Sequence, residues 1–520
     1  MLEKGLGRHD RHLRLAQGVT GEDLEELGRK FLSQRVLVTG DEAFLDTREG
    51  RLTVVTALNL IVRFCPKIDI DLGNHRRLVT DSLGVLNRVD QSPNACFNEV
   101  RGAPWEEYDA VLYAGRLPEC GPNVTSVVGS GWLAGVSCYG PTPDLPGGPY
   151  NPFGPLIAAT FGAAEVFKRL IRARPGAVSF FSPTVFSAYS YRVYGCCEPT
   201  ELEPTLPAET CLPEVFLAGA GAVGNAFAYA LRNVPGVTGP CAVVDREDLD
   251  DETNLNRYLL AFHEDAYGEE PVRKVDLVAR AFENTGIKCR LYKIEIDEYL
   301  KRIFDKAEPH PDVVISAVDN NDVRPSLQKL WPDLLVEGAT SDSVFQVSRH
   351  AYVDELACLM CIHSIHHAAQ SHEPYETQAA KRSGLSDKEV RDALHDEKLV
   401  VTPADVDAAP EDKRAFLKER VGRPICSVLT EIETLSKTPM EMPPAATVSF
   451  VSMAAGALAA AEVVKWASGI GSRLETLFQM DMFCPIENAV LQGVEKSQRC
   501  QCYTRRRQID QYRASAFSRR

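Results

Sequence analysis

A glycine-rich segment in the second half of the chain is the residue pattern with the clearest chemistry. Gly219, Gly221 and Gly224 form a G-x-G-x-x-G sequence directly after a short apolar run. Such glycines permit a tight turn and let the backbone approach phosphate groups at the positive end of a following helix. A second apolar run, Cys241–Val244, ends in Asp245, about 20 residues after the last glycine, where a carboxylate binds ribose hydroxyls. The pattern predicts a nucleotide site, although a glycine-rich turn without a ligand has the same spacing.

Three charged residues farther along distinguish between ATP and NAD as the nucleotide. Arg257 and Lys274 are cations suited to a triphosphate, whereas a hydride-transfer site needs a flat apolar pocket for nicotinamide. Asp319 follows the apolar run Val313–Val318, so it lies at the carboxyl end of a predicted strand, where open α/β sheets bind ligands, and it suits a Mg²⁺ ion. Taken singly, the two cations fit solvated surface charges and Asp319 fits a helix cap. Their order together predicts ATP with Mg²⁺.

The segment that carries these residues resembles the adenylation domain of the ThiF/MoeB superfamily, which includes the activating enzymes of ubiquitin and ubiquitin-like proteins. The matching positions are the ribose-binding aspartate Asp245, the N-L-x-R motif residues Asn254 and Arg257, the phosphate-binding Lys274, and Asp319 at the magnesium position. Asn320, next to Asp319, is a further candidate for cofactor binding. Two spacings, from Asp245 to Asn254 and from Arg257 to Lys274, are longer than is usual in the family.

Short segments of this architecture occur twice along the chain. Three pairs match in the same order: Arg35–Gly40 with Glu214–Gly219, Asp109–Gly115 with Asp312–Val318, and Ala163–Lys168 with Ala460–Lys465. We therefore predict an α/β protein with two Rossmann-like domains of the ThiF type that form a pseudo-dimer. The first copy keeps only Gly40 of the three glycines, and Arg116, which would repel Mg²⁺, stands in register with Asp319. It is predicted to be an inactive pseudo-adenylation domain.

The repeat also predicts the domain limits. They are 1–200 for the inactive domain, 201–361 and 444–503 for the two parts of the active domain, 362–443 for an inserted module, and 504–520 for a basic tail. The insert is predicted to be mainly helical, with helices over Ser386–Glu397 and Pro410–Val421. The tail is most simply a frayed, solvated end.

A basic segment near the amino end, Arg8–His12, resembles the R-Y-x-R-Q motif of family members. The resemblance implies that Arg11 reaches across the pseudo-dimer to the ATP of the other domain. The alternative is a basic helix start on the surface.

One cysteine in the insert stands in a distinctive context. Cys426 lies within Pro-Ile-Cys-Ser, and the resemblance to ubiquitin-type activating enzymes implies that it forms a thioester. The chemistry requires an accessible thiolate that attacks the acyl-adenylate, and a predicted helix over Ser427–Leu435 would favour the thiolate at its start. A lone cysteine is otherwise most often an inert core residue.

Two further cysteine pairs flank the insert. The resemblance implies a structural Zn²⁺ held by Cys358, Cys361, Cys500 and Cys502, although the second pair is C-x-C rather than C-x-x-C. Unrelated free thiols are the alternative, and a set of fallback ligands is available: His363, His366, His367 and Cys484.

Composition limits the class of protein. The net charge of −15 argues against a nucleic-acid binder. Fifteen cysteines, an odd number that mostly stand alone, predict reduced thiols and a cytoplasmic location. The longest apolar run, Val448–Ala461, is closed by Glu462 and predicts a buried helix rather than a membrane span.

Together, the motifs and the resemblance imply ATP-dependent activation of a ubiquitin-like protein, a thioester on Cys426 and transfer to a conjugating enzyme. The size resembles bacterial members of the family, some of which occur in antiphage defence operons. Two alternatives remain open: adenylation without a thioester, as in sulfur-carrier or peptide-antibiotic activation, and a non-catalytic scaffold on a decayed fold. An NAD dehydrogenase is a distant third.

Overall fold

The computed structural model describes most of the 520 residues. The described ranges are 10–173, 176–195, 203–249, 252–268, 270–319, 323–354, 356–363, 375–395, 399–425, 428–429 and 447–517. Two predicted site residues, Asn320 and Cys426, lie outside these ranges, as do His366, His367 and most of the helix predicted over Ser427–Leu435. The chain forms two compact units, Met1–His363 with Ala446–Arg520, and Ser364–Ala445.

The first half of the large unit is built on an eight-stranded sheet. Its strands are β1 Val36–Gly40, β2 Lys67–Asp71, β3 Cys96–Glu99, β4 Ala110–Ala114, β5 Val124–Ser130, β6 Leu133–Ser137, β7 Thr184–Ser187 and β8 Val193–Gly195. Its helices are α1 Asp10–Thr20, α2 Leu24–Ser33, α3 Glu42–Leu45, α4 Arg48–Ile61, α5 Arg76–Val89 and α6 Phe153–Ile171, with a 3₁₀ turn over Trp105–Glu107. The strand order is β3-β2-β1-β4-β5-β6-β7-β8, parallel from β3 to β5 and antiparallel from β5 to β8.

The second half repeats this sheet. Its strands are β9 Thr210–Cys211, β10 Val215–Ala218, β11 Val237–Val244, β12 Gly286–Tyr292, β13 Val313–Ser316, β14 Leu334–Ser341, β15 Val344–Ala351, β16 Leu477–Asp481 and β17 Val490–Gln492. Its helices are α7 Ala222–Leu231, α8 Glu252–Leu255, α9 His263–Tyr267, α10 Lys274–Phe282, α11 Ile296–Phe304 and α12 Val323–Gln328. The order β12-β11-β10-β13-β14-β15-β16-β17 matches the first sheet strand for strand, with the short β9 added beside β11.

The strand pairings fix the register between the two copies. Val36 of β1 lies opposite Ala110 of β4, and Val215 of β10 lies opposite Val313 of β13. Counting on from these pairs places Arg116 of the first copy at the position of Asp319 in the second. The predicted fold of two Rossmann-like domains, with a helical insertion in the second, is confirmed.

One long apolar helix closes each half. α6 and the helix Ser449–Ser468, α17 among the described helices, are buried along nearly their whole length and pack against each other. By length and composition α17 is able to cross a membrane, but it is 89% buried inside the protein, as a core helix is. The buried helix predicted from the apolar run is confirmed, and it continues past Glu462, which is fully buried inside α17 with Lys465 Nζ 2.6 Å from its carboxylate.

The small unit has its own apolar core. Its described helices are α13 Tyr375–Ser383, α14 Asp387–His395, α15 Pro403–Ala408 and α16 Glu411–Lys418. Leu385, Val390, Leu417 and Val428 are among the side chains that its core buries. Both helices predicted in this region are present: α14 lies within Ser386–Glu397 and α16 within Pro410–Val421.

The tail is ordered, contrary to the expectation of a frayed end. Gln501–Thr504 forms α18 and Arg506–Phe517 forms α19. Arg513 of α19 forms an ion pair with Asp333 at 2.5 Å and lies 3.8 Å from the centre of the Tyr352 ring. These contacts use the positive charge of Arg513 to hold the helix against the second half, so this arginine has a structural role.

Candidate active site

The glycine segment forms the turn between β10 and α7. Gly219 has a φ of +93°, which favours glycine, and a methyl group there would lie 2.6 Å from the Ala317 carbonyl oxygen. A methyl group at Gly224 would lie 2.1 Å from the Gly219 carbonyl oxygen. At Gly221, by contrast, it would have only the Tyr258 hydroxyl, at 3.8 Å, as a neighbour. Packing therefore requires two of the glycines, and the third keeps open the space in front of the helix.

Helix α7 begins without a side-chain cap. Gly221 is its N-cap residue and supplies no hydrogen-bond acceptor to the first amides of the helix. These amides form the positive end of the helix dipole, which binds phosphate groups in nucleotide-binding folds.

Asp245 lies at the end of β11, beside the glycine turn. One carboxylate oxygen accepts a hydrogen bond from the Ala220 amide at 2.7 Å, and the other accepts one from the Glu247 amide at 2.9 Å. Burial raises the pKa of Asp245, and these two amides act against that rise. A carboxylate accepts about four hydrogen bonds, so two sites remain for ribose hydroxyls.

The two cations predicted from the sequence meet at one aromatic ring. The Arg257 guanidinium lies 5.3 Å, and Lys274 Nζ 5.6 Å, from the centre of the Tyr258 ring, whose hydroxyl points toward Gly221. Lys274 is the first residue of α10, is buried, and forms an ion pair with Glu247. Burial lowers the pKa of Lys274, but Tyr258 and Glu247 outweigh it and the net pKa is raised, so the ammonium stays charged.

Several buried polar atoms around Arg257 have no hydrogen-bond partner in the described residues. They are Nε of Arg257, both side-chain polar atoms of Asn256, and Nδ2 of Asn225. Buried polar groups in native proteins are nearly always paired, so unpaired ones call for a ligand or water. The three nitrogen atoms among them are donors and suit the oxygen-rich phosphates of ATP, whereas Asn256 Oδ1 is an acceptor.

Asn254 and Asn225 hold the Arg257 segment in place. The carbonyl of buried Asn254 accepts the amides of Arg257 and Tyr258, at 3.2 and 3.1 Å. Asn225, one residue after the last glycine, accepts the Leu260 amide through Oδ1 at 2.8 Å. The position of Asn225 in the glycine helix was the only signal in the sequence for this role.

Asp319 is exposed beyond the end of β13, next to the glycine turn. The Ala317 amide, two residues earlier, donates to the Ala218 carbonyl at 2.9 Å, so the two strand ends lie side by side. An exposed carboxylate at this place suits a Mg²⁺ ion that bridges phosphate oxygens.

The segment just before Asp319 has support that the sequence did not indicate. Arg324 donates to the Val318 carbonyl at 3.0 Å, and its Nε lies 3.0 Å from the buried carboxylate of Glu337. Burial acts to raise the pKa of Glu337, but His363 and Arg324 outweigh it, so the pKa is lowered and the carboxylate stays charged.

The helix that carries Arg11 lies where the two halves meet. His12, the next residue, is fully buried, and its ring contacts Phe64 and Phe167 of the first half and Phe450 of the second, at 5.3, 5.7 and 6.3 Å between ring centres. Arg11 itself is half-buried. Its predicted reach to ATP stays a prediction.

The four cysteines predicted to bind zinc are brought together. All four are buried, and their sulfur atoms lie within 4.8 Å of one another. Cys358 lies 3.6 Å from Cys500 and Cys361 lies 3.4 Å from Cys502. Four thiolates about 2.3 Å from a tetrahedral zinc would be separated by about 3.8 Å. The donor set therefore fits Zn²⁺, with the C-x-C pair supplying two sulfurs from the start of α18.

The fallback ligands in the described residues are engaged elsewhere. His363 pairs with Glu337 at 3.0 Å, and the Cys484 thiol contacts Asp481 at 3.3 Å.

Comparison with known protein families finds a match in the second half of the chain. The ThiF family profile matches residues 212–503, more than half of the chain. An uncharacterized protein, y4jF, of Sinorhizobium fredii (strain NBRC 101917 / NGR234) is 25% identical, over 94% of this chain and 92% of its own length.

Solved structures with similarity to the chain include those of MccB from E. coli. The crystal structure with AMPCPP and SeMet MccA is 15% identical, with a TM-score of 0.35, and covers 55% of this chain and 66% of that chain. The crystal structure with ATP is 16% identical, with a TM-score of 0.35, and covers 56% and 66%. The similarity thus spans slightly less than two thirds of MccB.

Proposed function

This chain belongs to the ThiF family of ATP-using adenylation enzymes, and on that premise we propose that it activates the carboxyl terminus of a ubiquitin-like protein. The observation that carries the proposal is the convergence of an uncapped glycine helix, Asp245, Arg257 and Lys274 around Tyr258. In this arrangement the helix amides and the two cations bind the phosphates, and Asp245 binds the ribose.

In the first step the carboxylate of the partner protein attacks the α-phosphorus of ATP. A bond forms between the carboxylate oxygen and phosphorus, the bond to the bridging oxygen of pyrophosphate breaks, and pyrophosphate leaves with its electron pair. Arg257 and Lys274, with Arg11 from the first half, stabilise the charge that develops on the phosphate oxygens. Asp319 and Asn320 would hold the Mg²⁺, which neutralises phosphate charge when it is bound with ATP.

In the second step the Cys426 thiolate attacks the acyl carbon of the adenylate. The thiol proton goes to solvent, the carbon–oxygen bond to AMP breaks, and AMP leaves as the thioester forms. Support for this step comes from the Pro424-Ile425-Cys426-Ser427 sequence within a separately folded helical unit. Transfer to a conjugating enzyme would follow.

The cysteine cluster would hold a structural zinc. A Cys₄ site is closed, so it staples the segment of Cys358 to that of Cys500 and leaves no position for a substrate.

The experiment combines the chain, MgATP and a candidate ubiquitin-like protein, a small β-grasp protein that ends in glycine. We expect ATP–pyrophosphate exchange and a reductant-sensitive adduct on a gel. Asp319→Ala removes both, and Cys426→Ala removes only the adduct. Cys96→Ala, which changes an exposed cysteine of the first half, is the matched control and keeps both.

The other outcomes separate the competing functions. Exchange without any adduct in the unaltered chain, or full activity of Cys426→Ala, supports adenylation alone. If the unaltered chain shows neither exchange nor heat of MgATP binding, the scaffold alternative holds and the proposed function is wrong.

A further inference from the structure

The site segment 254–261, which carries Arg257 and Tyr258, has little regular structure of its own. Only the end of the short helix α8 falls within it, and α9 begins after it. Backbone carbonyls of such a segment need partners elsewhere if they are buried. Those partners decide where the two site residues point.

The partners of three of these carbonyls come from the inactive half. Arg63 donates to the carbonyls of Leu255 and Ala261, at 2.5 and 3.4 Å, and Asn59 donates to the carbonyl of Leu259 at 3.1 Å. Arg63 and Asn59 are buried, one turn apart near the carboxyl end of α4, and Arg63 donates to the Asn59 side chain at 2.7 Å. The carbonyls that accept these hydrogen bonds lie on both sides of Arg257 and Tyr258 in the sequence.

The active half holds the same segment from the opposite side. Asn225 of the glycine helix α7 accepts the Leu260 amide at 2.8 Å. A separate hydrogen bond, between the hydroxyls of Thr56 on α4 and Tyr229 on α7 at 3.0 Å, joins the two helices directly. The segment is therefore held between α4 of the first copy and α7 of the second.

We propose that Asn59 and Arg63 are positioning residues by which the inactive half holds the nucleotide-binding segment of the active half. A charged guanidinium that donates to neutral carbonyls makes stronger hydrogen bonds than a neutral donor, and burial strengthens them further. The first copy has lost its own phosphate turn, yet its helix α4 orients the cations of the second copy. For the effect on nucleotide binding, this inference rests on the proposed function.

The test uses the full chain and two measurements. Arg63→Met removes the donors, Arg63→Lys keeps the charge with fewer donors, and Asn59→Ala removes the weaker contact. Thr56→Val is the matched control. It deletes a hydrogen bond from α4 to helix α7 of the other half and leaves the contacts of the segment unchanged. The measurements are the Kd of MgATP by calorimetry, and hydrogen–deuterium exchange of the Leu260 and Ala261 amides.

We expect Arg63→Met to raise the Kd of MgATP at least about tenfold and to speed exchange of both amides. Asn59→Ala has a smaller effect in the same direction, Arg63→Lys restores much of the loss, and Thr56→Val leaves both measurements within about twofold. If Arg63→Met does not fold, Asn59→Ala and Arg63→Lys decide. Unchanged amide exchange and Kd in the folded Arg63 and Asn59 variants would overturn the inference. If the unaltered chain does not bind MgATP, the proposed function fails, while amide exchange still decides whether the segment is held.

Discussion

In both copies the chain turns directly after a strand, β1 in the first copy and β10 in the second. The two copies differ in the partners of the amides at the start of the helix that follows. In the first copy the Asp41 carboxylate caps α3 and accepts the amides of Ala43 and Phe44, at 2.7 and 3.2 Å. In the second copy Gly221 leaves the corresponding helix start uncapped. In the first half, a protein carboxylate thus accepts the amides at the helix start. In the second half, a phosphate would accept the amides at the helix start. The two copies thus differ at the helix start while they share the fold.

Two other positions differ in the same sense. The strand pairings place buried Leu72 of the first copy at the position of Asp245, and Arg116 at the position of Asp319. Arg116 forms an ion pair with Asp144, so the first copy satisfies the charge internally. The first copy has therefore replaced ligand-binding groups with groups that need no ligand.

The buried framework has been kept in both copies. Glu165 and Lys168 on α6 form a fully buried ion pair, as do Glu462 and Lys465 on α17. Lys465 also donates to the carbonyls of Ala188 and Tyr189 in the first half, at 2.9 and 3.0 Å. The buried ion pair of the closing helix is thus common to both halves, whereas the residues of the glycine turn differ.

The largest effect is expected from giving the active copy the acid of the inactive one. Gly221→Asp places a carboxylate where an added methyl group would have only one neighbour, at 3.8 Å, on a residue whose φ of −68° suits any side chain. We expect the Kd of MgATP to rise by about 100-fold or more, because an anion now competes for the helix amides. The free energy of unfolding should rise by up to about 1 kcal/mol, since aspartate is a good N-cap.

The controls for this prediction lie in both copies. Gly221→Asn caps the helix without charge and should weaken MgATP binding less. Asp41→Ala removes the cap of the first copy, and should lower the free energy of unfolding by about 1 kcal/mol while MgATP binding stays unchanged. Wild-type affinity in Gly221→Asp would refute the difference between the halves.

The cysteine cluster is another difference between the two halves, because among the described residues it lies in the second half alone. Cys500→Ser should reduce bound zinc from one equivalent to almost none by elemental analysis. The Tm should fall by about 5 °C or more, because the metal joins distant segments. Cys484→Ser, which changes a half-buried thiol outside the cluster, should retain the zinc. A full zinc equivalent in Cys500→Ser would show that this sulfur is not a ligand.

The smallest effect on nucleotide binding is expected from the framework that both copies share. Glu165→Gln and Glu462→Gln each leave a buried lysine without its partner carboxylate, so each should lower the free energy of unfolding by about 3 kcal/mol in urea titrations. The Kd of MgATP should stay within about twofold in both. If only one of the two variants has a lower free energy of unfolding, the two ion pairs do not stabilise the protein equally.

The sequence predicted the repeated sheet and the residues of the nucleotide turn because these depend on local pattern. Strand periodicity, glycines that must lie close to neighbouring backbone, and short cysteine spacings all leave traces in the order of residues. The prediction from the sequence was wrong for the tail, because its arginines indicated a solvated end. Their partners Asp333 and Tyr352 lie far back in the chain.

By itself, the amino-acid order determined the twofold α/β architecture, the position of the glycine turn and which copy has all three of its glycines. Only the tertiary structure decided that Arg257 and Lys274 meet at Tyr258, that four separated thiols form one cluster, and that Asn59 and Arg63 hold a segment of the other half. The physical reason is distance along the chain. Hydrogen bonds between a side chain and a remote carbonyl depend on how helices pack, and a carbonyl is present at every residue, so no residue type marks it in advance.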